Sequence, residues 1–371
     1  MSTSRRRVAI LAPLKEWGGL ERKFTILTRE FLALGVDVDF VRIRGGLVPY
    51  PDDFPTDAEI VDLATRSKRD GIPALMRYLR RRTPDALLTA KDHAAQVGVL
   101  ARALARSPTR VYIKTTNMPS EVIRRRAQRF MARRLYRHAD GVIAISQGVR
   151  DDVIANFGVP RERVHLIYNP MVTRDFAERL SAPPEHPWAM EQEPPLILGA
   201  GRLTGQKDFA TLIKAFALLR RRRACRLLIV GDGVERAALE ALIRDQGLTD
   251  DVSLPGRTND PVPLMRAAAV FALSSRYEGL GNVLVEAMAA GTRLVATDCP
   301  SGPREILADG RYGRLVPVGD PLAMADALDA ALCEQRPDMT VADDGLDRFR
   351  AASVSRQYLE VMGINVAAQT V

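Results

Sequence analysis

The residue types best suited to chemistry lie in two short stretches of the second half of the chain. "GAGRLTGQKDFATLIKAFALL", residues 199–219, places Arg202 and Lys207 in a loop between an apolar run and an amphipathic one. A guanidinium and an ammonium at the carboxyl end of a strand, beside the free amides of a following helix, suit a diphosphate. "RYEGLGNVLVEAMAAGT", residues 276–292, places Glu278 and Glu286 on either side of a glycine-rich turn. If a helix opens near Gly281 or Asn282, Glu286 lies about one turn inside it and Glu278 stays in the loop. Ionised carboxylates only accept hydrogen bonds, so a buried one without a cation is matched by vicinal hydroxyls, which sugars carry. Gly279 and Gly281 let backbone amides approach such a ligand closely.

Other patterns exclude themselves. "GAGRLT" has Gly199 and Gly201 but Thr204 where a dinucleotide fingerprint needs glycine, and "GDGVER" has Gly231 and Gly233 but Arg236. "GRLTGQKD" fails as a phosphate loop, because Gln206 precedes Lys207 and Asp208 replaces the required Ser or Thr. NAD binding and ATP hydrolysis are not indicated. The D-x-D of Asp37 and Asp39 reads as alternation on an edge-like strand with both carboxylates facing solvent. Arg202 and Lys207 make a metal unnecessary, so neither metal nor cofactor is expected. Cys225, Cys299 and Cys333 form no C-x-x-C pair and signal neither a disulfide framework nor a zinc site.

The elements that must position these residues follow from periodicity. At 371 residues the chain exceeds the size at which a single core stops growing, so two domains are expected. In the first half "VAILAPL", "VDVDFVRI", "DALLTA", "RVYIKTT" and "DGVIAIS" alternate with amphipathic stretches, as in a doubly wound parallel sheet. "SAPPEHPWAMEQEPP", residues 181–195, has no period and reads as a linker. The pattern restarts with "LILGAG", "RLLIVGDG", "VSLPG", "AVFALSS" and "RLVAT". The expected domains are therefore 1–187 and 188–352, with a last amphipathic piece, about 353–371, that docks apart from the domain preceding it.

The N-terminal apolar run meets Lys15 and Glu16 without a cleavage site and reads as a first strand rather than a signal peptide. No apolar run reaches the ~20 residues of a membrane span. A cytoplasmic chain is expected, with any membrane contact peripheral. The net charge of +9 comes with arginine clusters at 5–7, 80–82, 124–126, 133–134 and 220–223. Such a field attracts an anionic membrane surface or a nucleic acid, and the missing aromatic interleaving argues against the latter.

In order and spacing, "GRLTGQKDFATLIKAF", "LLIVGDGVERAALEALI" and "RYEGLGNVLVEAMAAGTRLVATDCPSGPREIL" closely resemble the retaining glycosyltransferases of family 4. "GGLERKFTILTREFLALGVDVDFV" and "ADGVIAISQGVRDDVIANFGVPRERVHLIYNP" extend the resemblance over the first half. It implies an α/β GT-B fold, two Rossmann-like domains facing across a cleft, with the last helix crossing back to the first. It implies that Arg202 and Lys207 hold the diphosphate of a nucleotide sugar and Glu286 its ribose hydroxyls. Glu278, with the stretch Gly279, Leu280, Gly281, Asn282 and Val283, would then meet the donor sugar. It further implies that Gly256 and Arg257 read the base, and that Gly18 and Gly19 line the cleft.

Where the family commonly carries a histidine before Asn or Asp, the matching stretch "YIKTTNMPSE" has Thr116 before Asn117. His93 is a further candidate, although a lone histidine at a helix start is more often a local cap. The expected activity is retaining transfer of a hexose or N-acetylhexosamine from a UDP-sugar to a hydroxyl of a glycan or lipid-linked acceptor, in bacterial surface polysaccharide or oligosaccharide synthesis. "TDCPSGPREIL", similar to the subgroup that builds these glycans, points to UDP, while Asp260 lies close enough in sequence to leave GDP open. The competing classes are a GDP-sugar transferase, a UDP-sugar epimerase on the same scaffold, and a non-enzymatic basic adaptor.

Overall fold

The computed structural model describes residues 6–12, 19–43, 54–65, 70–90, 92–123, 125–191, 193–336 and 345–366. The chain divides into two units, the first comprising residues 1–173 with 349–371 and the second 174–348. The division therefore falls before the stretch read as a linker. His186 caps the short helix Pro187–Met190 there, and the Arg226 guanidinium lies 5.0 Å over the Trp188 ring, fixing that stretch to the second unit.

In the first unit β1 (Arg7–Leu11), β2 (Asp37–Arg42), β3 (Glu59–Asp62), β4 (Ala86–Ala90), β5 (Arg110–Lys114), β6 (Gly141–Ala144) and β7 (Val164–Leu166) form one parallel sheet in the order β3-β2-β1-β4-β5-β6-β7. In the second, β8 (Leu196–Ala200), β9 (Arg226–Val230), β10 (Val252–Gly256), β11 (Val270–Leu273), β12 (Arg293–Thr297) and β13 (Arg314–Val316) repeat the pattern as β10-β9-β8-β11-β12-β13. Both sheets are doubly wound, as the periodicity predicts. β4 and β8 are buried at every position, the mark of strands covered on both faces by helices. β3, β7 and β13, which carry no long apolar run, are sheet edges, where half-solvated strands do not need one.

The first core gathers Ile10, Phe24, Phe31 and Phe40 around Tyr358 and Leu359 of the helix Ala351–Val361. That last helix thus belongs to the first unit: Phe31 and Tyr358 pack with tilted rings, centroids 6.4 Å apart, and the Tyr112 hydroxyl donates to the Val361 carbonyl at 2.8 Å. The second core centres on Leu212, Phe216, Ile229 and Leu328.

The solvent-facing reading of Asp37 and Asp39 is corrected. β2 lies between β1 and β3, and Asp39 is buried, accepting from the Tyr78 hydroxyl at 2.7 Å and pairing with Arg7 at 3.3 Å. Asp37 pairs with the same Arg7, so the shared face dictated by strand period is held by a structural cation. The arginine clusters also divide. Arg220, Arg222 and Arg223 are paired with Asp251, Asp326 and Asp329, whereas Arg126, Arg133, Arg134 and Arg137 have no carboxylate partner among the described residues.

Candidate active site

The order of the second sheet reverses between β8 and β11, so the connections leaving their carboxyl ends diverge to opposite faces and open a crevice, the place where sheets of this kind take ligands. The β8 connection carries Arg202 and Lys207 into the helix Phe209–Arg220, and the β11 connection carries Glu278 into the helix Asn282–Ala289. Side chains and backbone join the two. Lys207 Nζ donates to Glu278 Oε1 at 2.6 Å, and the Ser275 hydroxyl donates to the same oxygen at 2.6 Å. Ser274 Oγ donates to the Lys207 carbonyl at 2.8 Å, and Gln206 Nε2 to the Tyr277 carbonyl at 3.0 Å. Asp208 accepts from Arg276 and from Thr211.

Both glutamates are buried, and both have a cation, which corrects the picture of carboxylates waiting for hydroxyls alone. Glu278 has Lys207, because the strand order brings their two loops together in a way that spacing along the chain does not reveal. Arg202 is exposed, with no ion-pair partner among the described residues. Burial first, and then the nearby Glu278 carboxylate, push the Cys299 thiol up to about 12, so this cysteine stays protonated and is no nucleophile.

The glycine turn has the predicted register. Gly281, at φ 90°, caps the helix that opens at Asn282, and Leu284 N donates back to the Gly281 carbonyl. A Cβ on Gly302 would lie 1.9 Å from the Leu280 carbonyl oxygen, so the 300–302 segment can press on this loop only as glycine. Ser301 Oγ donates to the Gly279 carbonyl at 2.9 Å and completes the clamp. Asn282 and Val283 are half-buried on the first turn, one turn before Glu286. The arrangement presents helix amides, two cations and one carboxylate from adjoining loops and a second carboxylate from the helix that follows, a set able to bind a sugar and its anionic substituent together.

Glu286 Oε1 lies 3.7 Å from Arg179 Nη2, and Arg179 forks onto Asp260 with both bonds at 2.7 Å. No motif marks Arg179, which stands on the short helix Phe176–Ser181. Gly256 ends β10 and Arg257 follows it: the Gly256 carbonyl accepts from Gly231 N at 2.7 Å, and Arg257 is exposed.

In the first unit Thr116 and Asn117 follow β5 and line a cavity of about 310 Å³ with Lys114, Thr115 and Val122. Lys114 escaped the sequence reading. It is fully buried, and burial, with Lys23 next, holds its amine well below the usual lysine range. It donates to Asn169 Oδ1 at 2.9 Å and meets the Tyr358 hydroxyl on the last helix. His93 is half-buried on the first turn of the helix Asp92–Ala105. Gly19 opens the helix Gly19–Ala33, and Gly18 lies outside the described residues. Among the described residues no group of three or more His, Cys, Asp or Glu is placed to hold a metal ion, and no helix is long and apolar enough to cross a membrane.

Residues 18–170 match the family model of the glycosyl transferase 4-like domain, and residues 194–334 that of the glycosyl transferases group 1. The chain belongs to the family 4 glycosyltransferases. Its fold is GT-B, shared with a glycosyltransferase from Rickettsia africae (TM-score 0.81, 18% identity, 96% of this chain and 98% of that one) and with Anabaena HepE solved in complex with UDP (TM-score 0.81, 20% identity, 96% and 99%). The chain is 30% identical over 64% of its length to a Campylobacter jejuni N-acetylgalactosaminyltransferase acting on an undecaprenol diphosphate-linked sugar. It is 33% identical over 45% of its length to the Rhizobium meliloti lipopolysaccharide core glycosyltransferase LpsE. The chain spans 64% of the first of these relatives and 49% of the second.

Proposed function

We propose that the chain transfers a hexose or N-acetylhexosamine, with retained anomeric configuration, from a UDP-sugar to a hydroxyl of a glycan or lipid-linked acceptor in bacterial polysaccharide or oligosaccharide synthesis. The observation that carries this reading is the Lys207–Glu278 pair at the strand-order reversal, with Arg202 exposed on the same loop as Lys207. Arg202 and Lys207 supply positive charge where a departing diphosphate gathers its negative charge. Such preorganised donors act most strongly in the transition state. Glu278, steadied by Ser275, accepts from a donor-sugar hydroxyl, and Glu286 accepts from the ribose. With these cations in place the reaction runs without a metal, and turnover survives EDTA. Loss of turnover with EDTA and its return with Mn²⁺ would reverse that statement.

UDP is favoured over GDP because Asp260, the carboxylate nearest in sequence to Gly256 and Arg257, is already engaged by Arg179. Guanine presents an amino group beside its ring N–H, a pair of donors that a carboxylate matches, whereas uracil presents a single ring N–H between two carbonyls that backbone groups can meet. The related enzyme that works on undecaprenol-linked sugar supports a lipid-linked acceptor. The first unit's surface is consistent with an anionic membrane. The helix Arg126–Arg137 exposes Phe130 (60%) and Met131 (55%) beside arginines without carboxylate partners among the described residues, and Val122 is exposed (59%) just before it. The deciding experiment incubates the chain with UDP- and GDP-linked hexoses and N-acetylhexosamines, with and without lipid-linked glycan. UDP release that requires acceptor supports transfer. Acceptor-independent consumption of UDP-sugar would mean epimerisation or hydrolysis, and faster use of GDP-sugars would overturn the donor assignment.

A further inference from the structure

Arg179 is restrained on three sides. Its fork takes both oxygens of Asp260 at 2.7 Å, its Nη2 stands 3.7 Å from Glu286, and its guanidinium lies 5.3 Å over the Phe176 ring. The Arg179 and Glu286 side chains keep only 12% and 8% of their exposure, so their attraction is little screened by solvent. Burial works against the charged guanidinium, but Asp260 and then Glu286 outweigh it and hold Arg179 above its ordinary value. A cavity of about 320 Å³ adjoins Arg179 and Asp260, lined also by Asp175, Glu178, Pro183 and Glu185.

We propose that Arg179 is a positioning and specificity residue: it orients Glu286 for the ribose hydroxyls and, by occupying both oxygens of Asp260, withholds that carboxylate from the amino edge of a guanine. The inference rests on the UDP-sugar reading above and assigns a cause to its base preference. One guanidinium ties the ribose carboxylate to the segment that follows β10, so nucleotide affinity and base choice are coupled through a residue that touches neither ribose nor base. Lysine keeps the charge but cannot fork onto two oxygens, so it serves Glu286 better than it seals Asp260.

The test is calorimetric titration of UDP and of GDP into the full chain and its Arg179→Lys, Arg179→Met, Asp260→Asn and Arg179→Met/Asp260→Asn variants. Arg179→Met is expected to weaken UDP by about tenfold or more, the scale of a hydrogen bond to a charged group, and to lower the UDP-to-GDP preference by about as much. Arg179→Lys keeps most of the UDP affinity while losing part of the preference. Asp260→Asn gains nothing for GDP, and adding it to Arg179→Met removes the gain. A UDP-to-GDP ratio unchanged in both Arg179 variants overturns the proposal, even if both nucleotides bind more weakly. Should Arg179→Met fold poorly, as its urea midpoint would reveal, Arg179→Lys and Asp260→Asn still decide. Glu286→Ala separates the two levels. If it abolishes UDP binding while the Arg179 variants leave the ratio intact, this inference alone fails; if it leaves UDP binding unchanged, the reading beneath it fails too.

Discussion

Replacing Lys207 with Met leaves Glu278 buried, with the Ser275 hydroxyl as its one remaining side-chain partner among the described residues. The lost partner stood at 2.6 Å, with side-chain exposures of 16% for Lys207 and 7% for Glu278, which makes this a largely desolvated pair. Breaking such a pair from one side costs about 3–5 kcal/mol, mostly from stranding the remaining charge. Lys207 keeps some contact with water, so the lower end, about 3 kcal/mol, applies. In a unit of this size that lowers the unfolding temperature by roughly 6–12 °C. Glu278→Gln alone should cost less, since the amide still accepts from Lys207. The double variant should recover more than half of the loss from Lys207→Met, because no charge is left stranded. Activity should not recover with stability, because the cation proposed for the diphosphate is still missing. Calorimetric unfolding of the four proteins checks the first part and acceptor-dependent UDP release the second. Additive losses in the double variant would refute the coupling, and restored turnover would refute the role of Lys207.

Arg202→Ala, which breaks no ion pair among the described residues, should leave the unfolding temperature within experimental scatter yet depress kcat more than it raises KM, the pattern of charge met in the transition state. A pure KM effect in steady-state kinetics would reduce it to ground-state binding. Lys114 gives a pH signature: its amine is held well below 10.5 in the fold, so between that lowered value and 10.5 the unfolded chain binds the extra proton and stability rises with pH. Lys114→Met should flatten that rise in urea titrations across alkaline pH, and an unchanged slope would contradict a neutral buried amine. Flotation with anionic liposomes at low salt should fall when Arg133 and Arg134 become Gln, by up to about 1 kcal/mol per charge, and should also fall with Phe130→Ser. Equal binding to neutral liposomes would count against the membrane surface.

Sequence periodicity reached both doubly wound sheets because their central strands are continuous apolar runs, such as "LLIV" of β9 and "VFAL" of β11. It missed β3, β7 and β13, whose short edge positions lack that signal. The boundary at Thr173 was hidden because the helix Phe176–Ser181 joins the second unit through Arg179 and Asp260, a contact with no local pattern. The glycine turn at Gly281 and the helix start at Asn282 were legible, being local conformational demands. The partners of the two glutamates were not. Lys207 meets Glu278 through strand order, and Arg179 approaches Glu286 from a short helix that precedes the sheet, neither of which spacing along the chain reveals. Asp39 was misread because alternation along a strand reports which residues share a face but not whether that face is covered.

The central claim is that this arrangement of Arg202, Lys207, Glu278 and Glu286 transfers sugar from UDP with retention. The most direct measurement is the product's anomeric configuration, read by NMR from a reaction of α-linked UDP-N-acetylhexosamine or UDP-hexose with a lipid-linked glycan acceptor. The account predicts a new α-glycosidic linkage, formed only with acceptor present and lost in Glu286→Ala. A β-linked product, or an equal yield from the Glu286→Ala protein, would contradict it.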